Sequence, residues 1–342
     1  MSAVSSTVLG RPPPFDRELA GPLAVILAHR PSLTPDLIES RREAGRVSAL
    51  DDDEIRRGGA FTVDEVTVPG PGPAVPLLVC RPTGSDGPHP VLYNIHGGGM
   101  VAGHRRSAEL VGELDRAEAL QCAVLSVDYR LAPEHPDPAP VEDCYAGLVW
   151  LAERGAGLGL DPDRIVLSGN SAGGALAAGV ALLARDRGGP PLAGMLLQFP
   201  MLDDRCDTVS ARQMERVGMW DGLSNRTGWS ALLGARRGTD AVSCYAAPAR
   251  AADLTDLPPA YVEVGSVEAL RDEAVAFVSR IWQGGGEAEL HVWEGAFHSF
   301  DEWVPCAVVS RAAHDARVSW LHRHIATDSP QDDAVRAFGD RR

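Results

Sequence analysis

The chain contains no lysine: all 32 of its Lys+Arg residues are arginine. That absence removes whole classes of chemistry. No lysine Schiff base can form, no P-loop lysine can reach a phosphate, and no Ser–Lys dyad can be built. Cysteine is scarce as well. The six, at positions 80, 122, 144, 206, 244 and 306, are widely spread, with no C-x-x-C pair and no zinc-ligand spacing. Such a pattern predicts reduced thiols in a cytoplasmic protein rather than a disulfide framework or a metal centre. No apolar run approaches the roughly 18 residues that a membrane helix needs. The start, MSAVSSTVLGRPPPF, lacks a basic segment followed by an apolar block, so no secretory signal is expected. Positive charge is in the minority, with 47 acidic residues leaving a net charge of −15. That excess argues against nucleic acid and anionic membranes as partners and serves solubility.

What remains is an ordinary globular composition, 44% hydrophobic and 23% charged. It is enough for a large core. Length alone would suggest two domains, but α/β folds of this size are often one unit with insertions. Residues 1–58 carry two helical patterns bounded or interrupted by proline, DRELAGPLAVILAHR and TPDLIESRREAGRV. The acidic run Asp51–Glu54 reads as a solvated turn or helix start. From about residue 60 short apolar, β-branched runs alternate with helical stretches. The strands expected are FTVDEVTV, PLLVCR, PVLYNIH, AVLSVDYR, RIVLSGN, GMLLQFP, AYVEVG and ELHVWEG. Apolar strands separated by helices predict an α/β fold with a mostly parallel eight-stranded sheet, covered by helices on both faces. Residues 201–250 break the rhythm and read as irregular helices inserted above the sheet. Residues 326–342 read as a polar C-terminal tail.

Three motifs carry chemistry. Gly169-Asn170-Ser171-Ala172-Gly173 matches G-x-S-x-G, with the strand RIVLS before it and the helix SAGGALAAGVALLA after it. That is the context of a nucleophile elbow, and the following helix aims its N-terminal amides near Ser171. His96-Gly97-Gly98-Gly99 follows the strand PVLYNI. Glycines at a strand end can turn backbone N–H groups toward a developing oxyanion. His298 lies late in the chain, in GAFHSF after a strand, where the order Ser, acid, His puts the base. His291 sits inside that strand and reads as structural. His322 and His324 sit near the end of the last helix, where they suit its dipole. The acid is less clear. Asp203 and Asp204 follow a strand, Glu263 lies within one, and Asp272 and Glu273 read as helix-start residues. Position in a loop after a strand favours Glu268.

These segments resemble the bacterial hormone-sensitive-lipase-like carboxylesterases, a branch of the α/β-hydrolases. HGGG at 96–99, YRLAPEHP at 129–136, GNSAGG at 169–174, PMLDDR at 200–205, VGSVEALRDEA at 264–274 and GAFHSF at 295–300 fall in that family's order. The resemblance covers roughly residues 60–325. It implies Ser171 as nucleophile, His298 as base and Glu268 as the acid. It also implies an oxyanion hole from the amides of Gly98, Gly99 and Ala172, with Gly97 shaping the loop. Met100, Asn170 and Trp220 are assigned to the substrate pocket. The family's cap would come from the N-terminal helices and the insertion at about 201–250, leaving 59–325 as the catalytic domain. The implied partner is a small-molecule ester with a short acyl group. No cofactor or metal is implied, and a homodimer is the implied assembly.

The chain also departs from the family. Glu268 stands where Asp is usual, Asn170 replaces Asp, and Met100 and Asp137 replace aromatics. Ser299 replaces the usual glycine after the histidine. The changes at 100 and 137 would soften or polarise the pocket mouth. A lactonase, an amidase or an acyltransferase could use the same groups. A binding protein on this fold, like the plant gibberellin receptors, would have lost the histidine that this chain retains.

Overall fold

A computed structural model describes residues 9–325; the expected polar tail at 326–342 lies outside the described residues. Eight strands form one sheet in the order β1-β2-β4-β3-β5-β6-β7-β8. β1 (Phe61–Val68) pairs antiparallel with β2 (Val75–Pro82), and β2 antiparallel with β4 (Ala123–Val127). β3 (His89–Ile95), β5 (Leu160–Asn170), β6 (Gly194–Gln198), β7 (Ala260–Gly265) and β8 (Ala288–Trp293) continue the sheet in parallel.

Burial explains the strand patterns. β3, β4, β6 and β7 are buried at every residue, as strands covered on both faces must be. Edge strand β1 is buried only at Phe61 and Val68. Side-chain alternation splits the sheet's contacts between two cores. Leu77 and Val79 of β2 enter one, with Val91, Tyr93 and Ile95 of β3. Leu78 and Cys80 enter the other, with Leu92.

Helices cover the sheet as expected. In the N-terminal segment lie α1 (Arg17–His29), which runs through Pro22, then α2 (Ile38–Val47) and α3 (Asp52–Arg56). The acidic run starts α3 with a capping box: Asp51 accepts from the Glu54 amide and Glu54 from the Asp51 amide, each at 2.8 Å. α4 (Leu110–Leu120) puts Leu110, Leu114 and Ala117 into the second core. On the opposite face come α5 (Ala139–Arg154) and α6 (Ala172–Arg187), whose small residues let it lie close to the sheet. The segment 201–250 holds α7 (Val209–Gln213) and α8 (Gly222–Leu233). α9 (Arg271–Gln283), the short α10 (Phe300–Trp303) and α11 (Val308–Ile325) complete the described chain. No described helix is long and apolar enough to cross a membrane.

The parallel strands all end on one side, and there the loops after β3, β5, β7 and β8 meet. Ligands of open α/β sheets bind outside the carboxyl ends of the strands. Ile95 lies opposite Gly169, so the HGGG loop and the G-x-S-x-G turn are neighbours.

Candidate active site

Ser171 sits between the end of β5 and the first turn of α6, with φ 57° and ψ −118°. For a non-glycine residue this backbone is strained, at about 1–3 kcal/mol. The surroundings hold it there: its amide donates to Gln198 O at 2.8 Å, and its carbonyl accepts from the Met201 amide at 3.0 Å. The turn is so tight that a Cβ on Gly173 would overlap the carbonyl oxygen of Ile95. That close approach is why the motif's last position is glycine.

His298 comes from the loop after β8. Its Nε2 lies 2.9 Å from Ser171 Oγ, and its Nδ1 lies 3.3 Å from Glu268 Oε1. The other oxygen, Glu268 Oε2, accepts from the Gly265 amide at 3.0 Å. All three side chains are buried, with Glu268 only 2% exposed. Phe199 meets the imidazole edge-on at 5.6 Å between ring centroids, and Trp220 lies 6.2 Å away.

The other acids are engaged elsewhere. Asp203 pairs with Arg205, and Asp204 with Arg250. Glu263 accepts from Arg317 Nε at 2.6 Å and from Trp293 Nε1 at 2.9 Å. Asp272 accepts from the Ser210 amide. Glu273 does lie in the first turn of α9, but it is not a simple helix-start residue. It is buried, and its Oε1 accepts from the amides of Leu202 and Asp203 at 2.7 and 3.2 Å. Burial, with Asp203 and Glu268 nearby, pushes its carboxyl well above the usual range.

Opposite Ser171, Gly98 (φ 110°) and Gly99 (φ 65°) have backbones that favour glycine. Among the described residues the amides of Gly98, Gly99 and Ala172 donate to no protein acceptor. Gly97 differs: its amide donates to Glu109 Oε1 at 2.7 Å, so it shapes the loop and is not a spare donor. His96 stacks on Tyr129 at 4.2 Å between centroids, and Tyr129 OH donates to His96 O at 2.8 Å. Burial lowers the His96 pKa to about 4, which keeps the ring neutral as a wall of the loop. YRLAPEHP thus braces HGGG, and Ala132 N adds a bond to Met100 O at 2.9 Å.

A cavity of about 130 Å³ surrounds Ser171, lined among others by Gly97, Gly98, Gly99, Asn170, Trp220 and His298. Trp220 packs against Gly99, where a Cβ would overlap its ring. The assignments of Trp220 and Asn170 to this pocket fit that lining. Met100 does not: its left-handed backbone (φ 64°) sends a fully buried side chain into the main core. Asp137 is also away from the pocket, held by Arg236 at 2.9 Å.

The lining includes Ser299 of GAFHSF and residues that no motif announced: Arg30, Glu109, Met219, Glu302 and Trp303. Asn170 Nδ2 donates to Glu302, and burial with the Glu109 charge pushes Glu302 well above the usual carboxylate range. Burial likewise raises Glu109 to about 7, against the Gly97 amide that lowers it. The only sequence signal for these acids was their nearness to HGGG and GAFHSF. Among the described residues no group of three or more His, Cys, Asp or Glu is arranged to hold a metal ion.

Comparison with known proteins points the same way as the geometry. The family described as "alpha/beta hydrolase fold" matches residues 92–302. Esterase LipI of Mycobacterium tuberculosis is 34% identical over 242 residues, covering 70% of this chain and 74% of the relative. Among solved structures, a bacterial heroin esterase superposes with a TM-score of 0.82 at 35% identity, covering 91% of this chain and 99% of the other. Esterase LipW from Mycobacterium marinum gives 0.82 at 30% identity, covering 94% and 100%.

Proposed function

The chain belongs to the α/β-hydrolase family, in its hormone-sensitive-lipase-like branch, and from that premise we propose that this carboxylic-ester hydrolase works through Ser171, His298, Glu268 and a covalent acyl-enzyme. The observation that carries the reading is the 2.9 Å contact between His298 Nε2 and Ser171 Oγ, at a strained turn facing unpaired amides.

The proposed steps follow from that arrangement. Ser171 Oγ attacks the ester carbonyl while His298 Nε2 accepts its proton. The carbonyl oxygen gains charge and is met by the amides of Gly98, Gly99 and Ala172. Fixed donors of this kind need no reorganisation as charge develops. His298 then gives the proton to the leaving alkoxide, and the acyl group stays on Ser171. Water, deprotonated by the same imidazole, repeats the sequence and releases the acid. Glu268 keeps the proton on Nδ1 and stabilises the imidazolium. Its 3.3 Å contact is long, as such bonds often are before substrate tightens the site. The helices of the N-terminal segment and of 201–250 act as a cap, since Arg30 and Trp220 close over the cavity from those two segments.

The reading extends to short acyl groups. The cavity at Ser171, about 130 Å³, is below the roughly 300–1,000 Å³ of a pocket for a drug-sized ligand. A p-nitrophenyl ester series from acetate to decanoate should show a maximum at the short end. A fluorophosphonate should label the wild-type protein and not Ser171→Ala. Absence of label together with absence of turnover would remove the serine-esterase mechanism. Faster turnover of matched lactones or amides would move the function to that class.

A further inference from the structure

A second cavity, of about 330 Å³, opens in the cap between the end of α1 and α2. Arg30 and Trp303 line both this cavity and the one around Ser171, so they are the shared wall between the two. Its charged lining is of one sign. Arg30 and Arg41 both face it, and no Asp or Glu is among its lining residues. Acids are at hand on α2 and in the segment 129–136, but they are turned elsewhere. Glu39 and Glu43 bind Arg46, and Glu134 binds Arg42. Among the described residues Arg30 makes no hydrogen bond or ion pair; its guanidinium lies over the Trp303 ring at 5.3 Å from the centroid. Arg41 makes one bond, to the Pro31 carbonyl at 3.0 Å.

Two half-buried guanidinium groups with no counter-ion repel each other. Burial, and then the charge of Arg41, lower Arg30 to about 10. The charge of Glu302 opposes this, yet Glu302 forms no ion pair with Arg30 and is itself pushed toward its neutral form. An anion in the cavity would relieve the repulsion and meet two planar donor forks, the geometry suited to a carboxylate.

We propose that this cap cavity is an anion subsite of the active site, and that the preferred substrates are esters carrying a carboxylate remote from the scissile bond. The ester carbonyl lies at Ser171 and the chain passes the Arg30–Trp303 wall. The carboxylate then rests between Arg30 and Arg41. The inference rests on the serine-esterase reading, but a separate measurement tests it.

The test uses two substrate series, followed by acid release. In one, acetate esters of ω-hydroxyalkanoic acids carry the charge on the alcohol arm. In the other, monomethyl esters of dicarboxylic acids carry it on the acyl arm. Each is paired with the length-matched compound ending in a primary amide. In one series, at the length that spans the wall, the carboxylate should be preferred in kcat/KM by about ten- to hundredfold, the range of a charged hydrogen bond. The ratio is taken within each protein, so a general loss of activity cancels. It should fall toward one in Arg41→Gln and in Arg30→Gln, shrink with added salt, and be partly kept by Arg41→Lys. A ratio near one at every length of both series in the wild-type protein overturns the proposal. So does a ratio that survives Arg41→Gln and Arg30→Gln. Turnover of the amide-ended esters that is lost in Ser171→Ala would leave the esterase reading standing in either case.

Discussion

Replacing Glu268 by glutamine changes one atom and tests the whole hydrogen-bonded chain. In the native site Oε2 accepts from the Gly265 amide at 3.0 Å and Oε1 faces His298 Nδ1 at 3.3 Å. A glutamine has only one oxygen. The buried Gly265 N–H claims it, because an NH2 group there would leave that donor unpaired. The glutamine NH2 then faces Nδ1, which must become an acceptor. The ring proton moves to Nε2, where it blocks transfer from Ser171 Oγ. Flipping the amide restores the tautomer, but it sets NH2 against the Gly265 N–H at about 1–3 kcal/mol. The imidazolium would still lack its anion. The loss in kcat is therefore expected between about 10² and 10⁴, or ~2.7–5.4 kcal/mol. The assay is steady-state hydrolysis of p-nitrophenyl acetate, with a thermal melt to show that Glu268→Gln keeps its fold. Glu268→Ala should lie at the upper end of the range. Less than a tenfold loss in Glu268→Gln, with the fold intact, would refute the reasoning and remove Glu268 as the acid.

Other outcomes follow from the buried carboxyls. Glu273→Ala should lower stability by about 2–5 kcal/mol, because it leaves the buried amides of Leu202 and Asp203 without an acceptor. Chemical denaturation reads that loss; Glu273→Gln keeps an acceptor and should recover most of it. Glu109 is raised from 4.5 to about 7 by burial. Its folded-state pKa exceeds the unfolded one, so its contribution is full below pH ~4.5 and is lost as pH rises through ~7. Glu109→Gln should flatten the stability–pH curve across that window while still accepting from the Gly97 amide; an unchanged slope in denaturation midpoints would contradict the assignment.

Much of this protein is local in origin. A strand buried on both faces needs a continuous apolar run, and a helix needs an apolar stripe, so the sheet and its helices could be read as patterns. The elbow at Ser171 and the HGGG turn could be read too, because both depend on glycines within a few residues of one another. Side-chain direction is another matter. Met100 stands next to HGGG in sequence, yet its left-handed backbone turns it into the core. Glu273 follows the pattern of a helix start, yet it holds the loop after β6.

Distance along the chain marks the same boundary. Three acids stood within six residues in VGSVEALRDEA, and residue type could not separate them. Position in the loop favoured Glu268, and the fold gives the physical reason: only Glu268 comes within reach of a histidine 30 residues later. Arg30 and Trp303, at opposite ends of the described chain, meet as one wall of the cavity beside Ser171. Nothing local to either residue encodes that contact. It exists because parallel strands bring all their carboxyl ends to one side, where residues from distant segments line one cavity.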